Sequence, residues 1–184
     1  MSGKIRILGI AGSLRKDSFN RAALRAAAAL VPEGAEMEIY DIEGFPGFNQ
    51  DDDQSPPAKV AEFKQKIRDA DAILISSPEY NYSIPGVLKN AIDWASRPYG
   101  TSAWEGKPAA IMGCSPGAVG TARMQYHLRQ VMVFLNMHPL NKPEVMIGKA
   151  AEKFDAEGNL TDEKTREFIR KMLEGLIAWT KRLT

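Results

Sequence analysis

A chain of 184 residues, 44% hydrophobic and 26% charged, is long enough to bury the core of a single domain. Its net charge of +1 gives no basic excess for nucleic acid and no charge block for an anionic membrane. The one cysteine, Cys114, excludes an internal disulfide, and the apolar start of MSGKIRILGIAGS is one strand long and broken by Arg6. Neither a signal peptide nor a stretch of roughly 20 apolar residues is present, so a soluble cytoplasmic protein is expected.

Lys4 to Ile10 is apolar, branched and too short for a helix, which predicts a strand. A small polar loop follows, then the alanine-rich stretch Ala22 to Leu30, a helix that Ser18 or Asn20 can cap and that Pro32 and Gly34 stop. Ala35 to Tyr40 alternates Met37 and Ile39 with Glu36 and Glu38, as an edge-near strand does. Residues 43–57, rich in Gly, Pro and Asp, form the longest irregular segment; a solvated loop is the simpler reading, a rim or lid the functional one.

Pro57 to Ala70 carries Val60, Phe63 and Ile67 on one helical face, and Asp71 to Ser77 is a continuous apolar strand of the kind buried on both sides. SPEYNYSIPG follows, with Pro85 placed to open the helix VLKNAIDWAS. Lys107 to Cys114 is a fourth strand, SPGAVG a third polar loop, and Thr121 to Asn136 a long helix. Glu144 to Ile147 predicts a short fifth strand, and Thr161 can cap a final helix with Ile169, Met172, Leu173 and Leu176 inward. Five alternations of strand and helix predict an α/β fold of the flavodoxin-like kind: a five-stranded parallel sheet in the order 2-1-3-4-5, sandwiched between helices in one domain.

In such a sheet the loops after strands one, three and four meet at the carboxyl edge, where ligands bind. Here those loops are GSLRKDSFN, SPEYNYSIPG and CSPGAVG. The first lacks both GxGxxG and GxxxxGK[ST], which argues against a dinucleotide fingerprint and a triphosphate loop. It offers Ser13, Ser18 and Asn20 as neutral donors and Arg15 as a charged one, at a helix N-terminus that favours anions; a phosphate monoester fits. Plain capping is the alternative for Ser18 and Asn20, and it is compatible with phosphate binding. The second loop presents Glu79, Tyr80, Asn81 and Tyr82 between prolines, suited to the edge and face of a flat heterocycle. Glu79 can equally be a solvated charge and Tyr82 a subunit contact. The third brings Ser115 and Gly117 close. Cys114 reads as a packed thiol, and His127 and His138 lack metal-ligand spacing. With no nucleophile, metal or acid–base pair evident, a bound cofactor is left to carry the chemistry.

At GSLRKDSFNR, SPEYNYSIPGVLKNAIDWASRP and ARMQYHLRQVMVFLNMHPLNKPE the chain resembles the NADPH-dependent FMN reductase family, in its quinone and chromate reductase branch. The resemblance implies non-covalent FMN. Ser13, Arg15, Ser18 and Asn20, with backbone donors at Leu14 and Phe19, hold its phosphate. Pro78, Glu79, Tyr80, Asn81 and Tyr82 lie against the isoalloxazine ring through backbone groups, and Ser115 with Gly117 closes the other side. It further implies ping-pong hydride transfer from NADPH or NADH, then two-electron reduction of small acceptors: quinones, chromate, azo compounds or flavins. Thr121 departs from relatives that carry a second glycine after Gly120. A flavodoxin-like electron carrier is the alternative, disfavoured by the near-zero charge.

The long helix has Met124, Leu128, Val131 and Leu135 on one apolar face, which suffices for the core, yet Val133, Phe134 and Tyr126 lie off it. With the resemblance this implies a dimer or dimer of dimers, for which Tyr82, Arg123, Tyr126 and Glu144 are candidate polar contacts.

Overall fold

The computed structural model describes residues 3–183. Strands β1 (Ile5–Ala11), β2 (Ala35–Tyr40), β3 (Ala72–Ser76) and β4 (Pro108–Cys114) alternate with helices α1 (Phe19–Ala29), α2 (Ala58–Asp69), α3 (Gly86–Ala95) and α4 (Ala122–Phe134). Two short strands, β5 (His138–Pro139) and β6 (Val145–Ile147), precede the long α5 (Glu163–Leu183). All pairings are parallel, in the order β2-β1-β3-β4-β5, with β6 also on β4.

The fifth position differs from the single strand expected at Glu144–Ile147. It is shared: β5 pairs with Pro108 and Ala109, β6 with Met112 to Cys114. Pro139 and Pro143 supply no N–H to a ladder, so the chain leaves the sheet between the two segments and returns.

Each of the four long strands alternates between two cores, as a period of two requires. Leu8, Ile10, Ile73, Ile75 and Ile111 pack with Phe63, Ile67, Leu88, Ile92, Leu128 and Met132 beneath α2, α3 and α4. Ile7, Leu74, Ala110 and Met112 face Ala23, Leu24, Ile169, Met172, Leu173 and Leu176 of α1 and α5. β3 and β4 are buried along their whole length, hence their unbroken apolar sequence.

Helix α1 starts at Phe19, earlier than its alanine run, because Ser18 is its cap: extended itself, it accepts the Asn20 N–H through Oγ at 3.2 Å. At α5 the cap is Asp162, not Thr161. Its Oδ1 accepts the Thr165 N–H at 2.9 Å, while the Thr161 hydroxyl donates to Lys153 O at 3.2 Å.

Residues 43–57 are moored to α3. Asn90 accepts the Phe48 N–H at 2.7 Å and donates to Pro46 O at 2.8 Å, and Trp94 Nε1 donates to the same carbonyl at 2.9 Å. Phe48 stands edge-on to Trp94, ring centroids 5.1 Å apart. Asp51 and Asp52 lie exposed in a single 3₁₀ turn capped by Asn49. Among the described residues no helix is long and apolar enough to cross a membrane.

Candidate functional site

The loops after β1, β3 and β4 come together at the carboxyl edge, as the strand order demands. The first and second loops touch at their roots. Gly12 N–H donates to Ser76 O at 2.9 Å, and a Cβ at Gly12 would collide with the Ser77 side chain, so only glycine fits there.

Beyond Gly12, Ser13 is buried and its Oγ accepts the Arg15 N–H at 3.4 Å; Ser18 N–H closes a turn onto Arg15 O at 3.1 Å. Arg15 is exposed and its guanidinium donates to Asp17 O. No acidic residue sits in the first turn of α1, and the N–H groups of Leu14, Lys16 and Phe19 have no partner among the described residues. Hydroxyl, guanidinium and amide donors thus converge on a helix N-terminus, a donor set that fits a phosphate.

Two of the candidates are turned elsewhere. Asn20 is buried with its amide across one residue of β4: Nδ2 donates to Cys114 O at 3.0 Å, and Oδ1 accepts Cys114 N–H at 2.8 Å. Ser76 Oγ donates to the Asn20 carbonyl at 2.9 Å. Asn20 therefore ties α1 to the ends of β3 and β4, with one of its two amide N–H groups committed to Cys114. The Phe19 ring lies against Phe154, centroids 5.3 Å apart, which leaves its backbone N–H to the loop.

In the second loop Tyr80 to Ser83 is a tight hairpin, with Tyr80 N–H to Ser83 O at 3.1 Å and Ser83 N–H to Tyr80 O at 2.9 Å. Both turn residues are left-handed, Asn81 at φ 51° and Tyr82 at φ 64°, as a type I′ turn requires. Asparagine tolerates this; tyrosine does so at a cost of about 1–2 kcal/mol, the kind of strain that gathers at functional sites. Tyr80, Asn81 and Tyr82 are exposed, and Pro78 is half-buried. Glu79 faces inward: it meets the first turn of α4, where Oε2 accepts the N–H groups of Arg123 and Met124 at 3.0 and 3.1 Å and Oε1 lies 2.6 Å from Arg123 Nη1. His127 Nδ1 shares a hydrogen bond with Ser83 Oγ at 2.8 Å.

The third loop is braced from behind. Ser115 N–H donates to Ile147 O at 2.9 Å, Lys149 N–H to Gly117 O at 3.0 Å, and Ser115 Oγ accepts the Gly117 N–H at 3.0 Å. Thr121 points into the core, its Oγ1 accepting from Gln125 Nε2 at 3.2 Å and packed where Gly113 has no Cβ. Residues 116–119, the rim of the loop, are exposed, whereas Thr121 is fully buried. Burial pushes the Cys114 thiol up to about 12, so it is a packed group and not a nucleophile. Among the described residues no group of three or more His, Cys, Asp or Glu could hold a metal ion.

Ser76, Ser77 and the Ile147 and Lys149 backbone brace are site-building groups that the sequence reading omits. The serine pair that ends an apolar strand in DAILISS is the one signal that could have pointed to the first two. On the outer face of α4, Val133 and Phe134 are 79% and 69% exposed. The polar association candidates pair within the chain: Tyr126 Oη donates to Glu144 Oε1 at 2.8 Å, and the Arg123 guanidinium lies 3.9 Å from the Tyr82 ring centroid.

The family model for NADPH-dependent FMN reductases matches residues 5–152. An NAD(P)H-dependent FMN reductase of Pseudomonas aeruginosa is 57% identical over 185 aligned residues, covering 100% of this chain and 99% of the relative. A 2-hydroxy-1,4-benzoquinone reductase of a Burkholderia species is 46% identical over 96% of this chain and 97% of its own length. Among solved structures, the flavoenzyme NAD(P)H:(acceptor) oxidoreductase of Paracoccus denitrificans superposes with a TM-score of 0.88 at 38% identity, covering 96% and 97% of the two chains. The carboxyl-edge loops just described are therefore those of a redox enzyme, and the chain belongs to the NADPH-dependent FMN reductase family.

Proposed function

We propose that this chain is an FMN-carrying NAD(P)H:quinone oxidoreductase whose three carboxyl-edge loops hold the cofactor between them. The observation that carries the reading is the donor cluster at the start of α1: Ser13, Ser18, Arg15 and unpartnered backbone N–H groups at a helix N-terminus with no acid in its first turn. The neighbouring N-terminus, that of α4, is already filled by the Glu79 carboxylate. A phosphate monoester at α1 would direct the rest of the molecule toward the hairpin and the third loop.

The chemistry is supplied by FMN when bound: hydride uptake from NAD(P)H, then two-electron delivery to an acceptor, in ping-pong order. The chain's own part is to bind and to orient. The Asn81–Tyr82 turn offers backbone N–H and C=O groups that no other described residue uses, on a hairpin closed by two hydrogen bonds. The Ser115–Gly117 turn, braced by Ile147 and Lys149, forms the opposite wall. Quinones are the favoured acceptors because a quinone reductase is among the relatives with near-complete coverage; chromate, azo compounds and free flavins need only reach the same exposed face.

Self-association belongs to the same reading. Val133 and Phe134, with Tyr126, form an exposed apolar stripe on α4 beside a recess of about 450 Å³ lined by Tyr99, Arg97 and Phe134. A second copy of the chain is its occupant in this proposal, with Arg123, Tyr82, Tyr126 and Glu144 at the rim.

The purified protein tests the function directly. Expected are a flavin spectrum, FMN released on denaturation, anaerobic bleaching by NADPH or NADH, recovery of colour with a quinone, and parallel double-reciprocal rate plots. Arg15→Ala should weaken FMN retention by about 1.5–3 kcal/mol, the range for hydrogen bonds to charged groups. Wild-type apoprotein that takes up no FMN would overturn the reading.

A further inference from the structure

Helix α4 begins without a cap of its own. Thr121, the residue before it, makes no side-chain bond to the first turn, because its hydroxyl is buried against Gln125. The orphan N–H groups are met instead by Glu79, 44 and 45 residues upstream, whose Oε2 accepts from Arg123 and Met124. The Glu79 side chain is only 9% exposed. A carboxylate so withdrawn from water persists where donors replace its hydration, and here it has two backbone amides, a helix N-terminus and the Arg123 guanidinium.

The contacts form a chain between loops. Glu79 belongs to the second loop; the turn it caps is where the third loop ends. Arg123, gripped by Glu79 at 2.6 Å, places its guanidinium 3.9 Å from the Tyr82 ring centroid, over one of the two left-handed residues of the hairpin. None of Glu79, Arg123 or Tyr82 belongs to either core cluster. Their contacts set the separation of two loops and leave the packing of the sheet alone.

We propose that Glu79 is the positioning residue of the cofactor slot: its carboxylate locks the second loop to the third through the first turn of α4 and, through Arg123, fixes the ring of Tyr82 against the hairpin. The proposal rests on the flavin reading above, and gives the side chain a role separate from the backbone contacts expected of residues 78–82.

The test compares apoprotein of the wild type, Glu79→Gln, Tyr82→Leu and the double variant by FMN titration and by amide hydrogen exchange. Phe63→Leu, a core change on α2, serves as a stability control. Glu79→Gln is near-isosteric, and is expected to raise exchange at the Arg123 and Met124 amides and to raise the FMN dissociation constant, each by about tenfold. Tyr82→Leu should weaken FMN as well, and the double variant should be little worse than the poorer single, because the two residues act through one guanidinium. Phe63→Leu should lower the melting temperature and leave FMN affinity unchanged. Arg123→Met, which keeps the stem and removes the charge, should reproduce the Glu79→Gln loss.

Unchanged exchange and FMN affinity in Glu79→Gln would overturn the proposal, as would independent, multiplying effects of Glu79 and Tyr82. If exchange rises in Glu79→Gln but even wild-type apoprotein ignores FMN, the flavin reading itself has failed and the cofactor role of Glu79 falls with it.

Discussion

Asn20 turns both ends of its amide to the backbone of Cys114, whose N–H and C=O are both buried. Asn20→Ala would leave a buried N–H and a buried C=O without partners, so a loss of about 2–6 kcal/mol is expected, since each unmet buried group costs about 1–3 kcal/mol. It should appear as a lower urea midpoint with an unchanged slope. Cys114 itself yields a second expectation. Burial holds its thiol at about 12 against an ordinary 9.0, and burial, with Glu62 beside it, raises the Tyr40 hydroxyl from 10.0 to about 12. Above the ordinary values the unfolded chain has released protons that the folded chain still binds, so these groups contribute stability in full below about pH 9 and lose it as pH climbs toward 12. Iodoacetamide at pH 8 should leave Cys114 unmodified in the folded protein and alkylate it in urea. The alkaline fall in melting temperature should be shallower in Cys114→Ala/Tyr40→Phe.

Helix α3 shows an element with two duties. Its inner face, Leu88, Ala91 and Ile92, packs on the sheet, while Asn90 and Trp94 hold residues 46–48 of the long loop. Asn90→Ala removes two of the three mooring bonds; the Phe48 amide should then exchange at least about tenfold faster, with the core amides of β3 unchanged. Apolar runs at β1, β3 and β4 and the period of two at β2 made the four long strands legible to within a residue or two at each end, and their alternation with helices was enough for the strand order. Legibility stopped where a residue's partner is distant in sequence. Ser18 could be read as a cap because its partner is two residues away. Asn20 reads as a cap or a phosphate donor, and its tie to Cys114, 94 positions on, has no local signal. Glu79 could be read as a solvated charge for the same reason, its partners being 44 and 45 positions away. β5, two residues long, has no periodicity to detect.

On the scale of the molecule, three of the large apolar side chains left in solvent share helix α4. Tyr126, Val133 and Phe134 lie along one side of α4, with Tyr99 and Tyr82 also exposed. Sedimentation at micromolar concentration should return a multiple of 20.3 kDa, and Phe134→Glu should move the distribution toward the single chain by placing a charge in the contact. A 20.3 kDa species alone in the wild type would remove self-association from the proposed function.

The divided fifth strand position bears on how the molecule avoids the wrong contacts. An open parallel sheet ends in two rows of unpaired backbone groups, each a template for another chain. On one margin β2 displays Glu36 and Glu38, the latter 2.7 Å from Lys66, so an incoming strand would meet charge. On the other, β5 and β6 offer two and three residues separated by a stretch off the ladder, too short and too interrupted to template a fibril. Runaway stacking along the sheet is thus discouraged at both borders, and the helical face is left as the surface through which copies can meet in a closed, countable assembly.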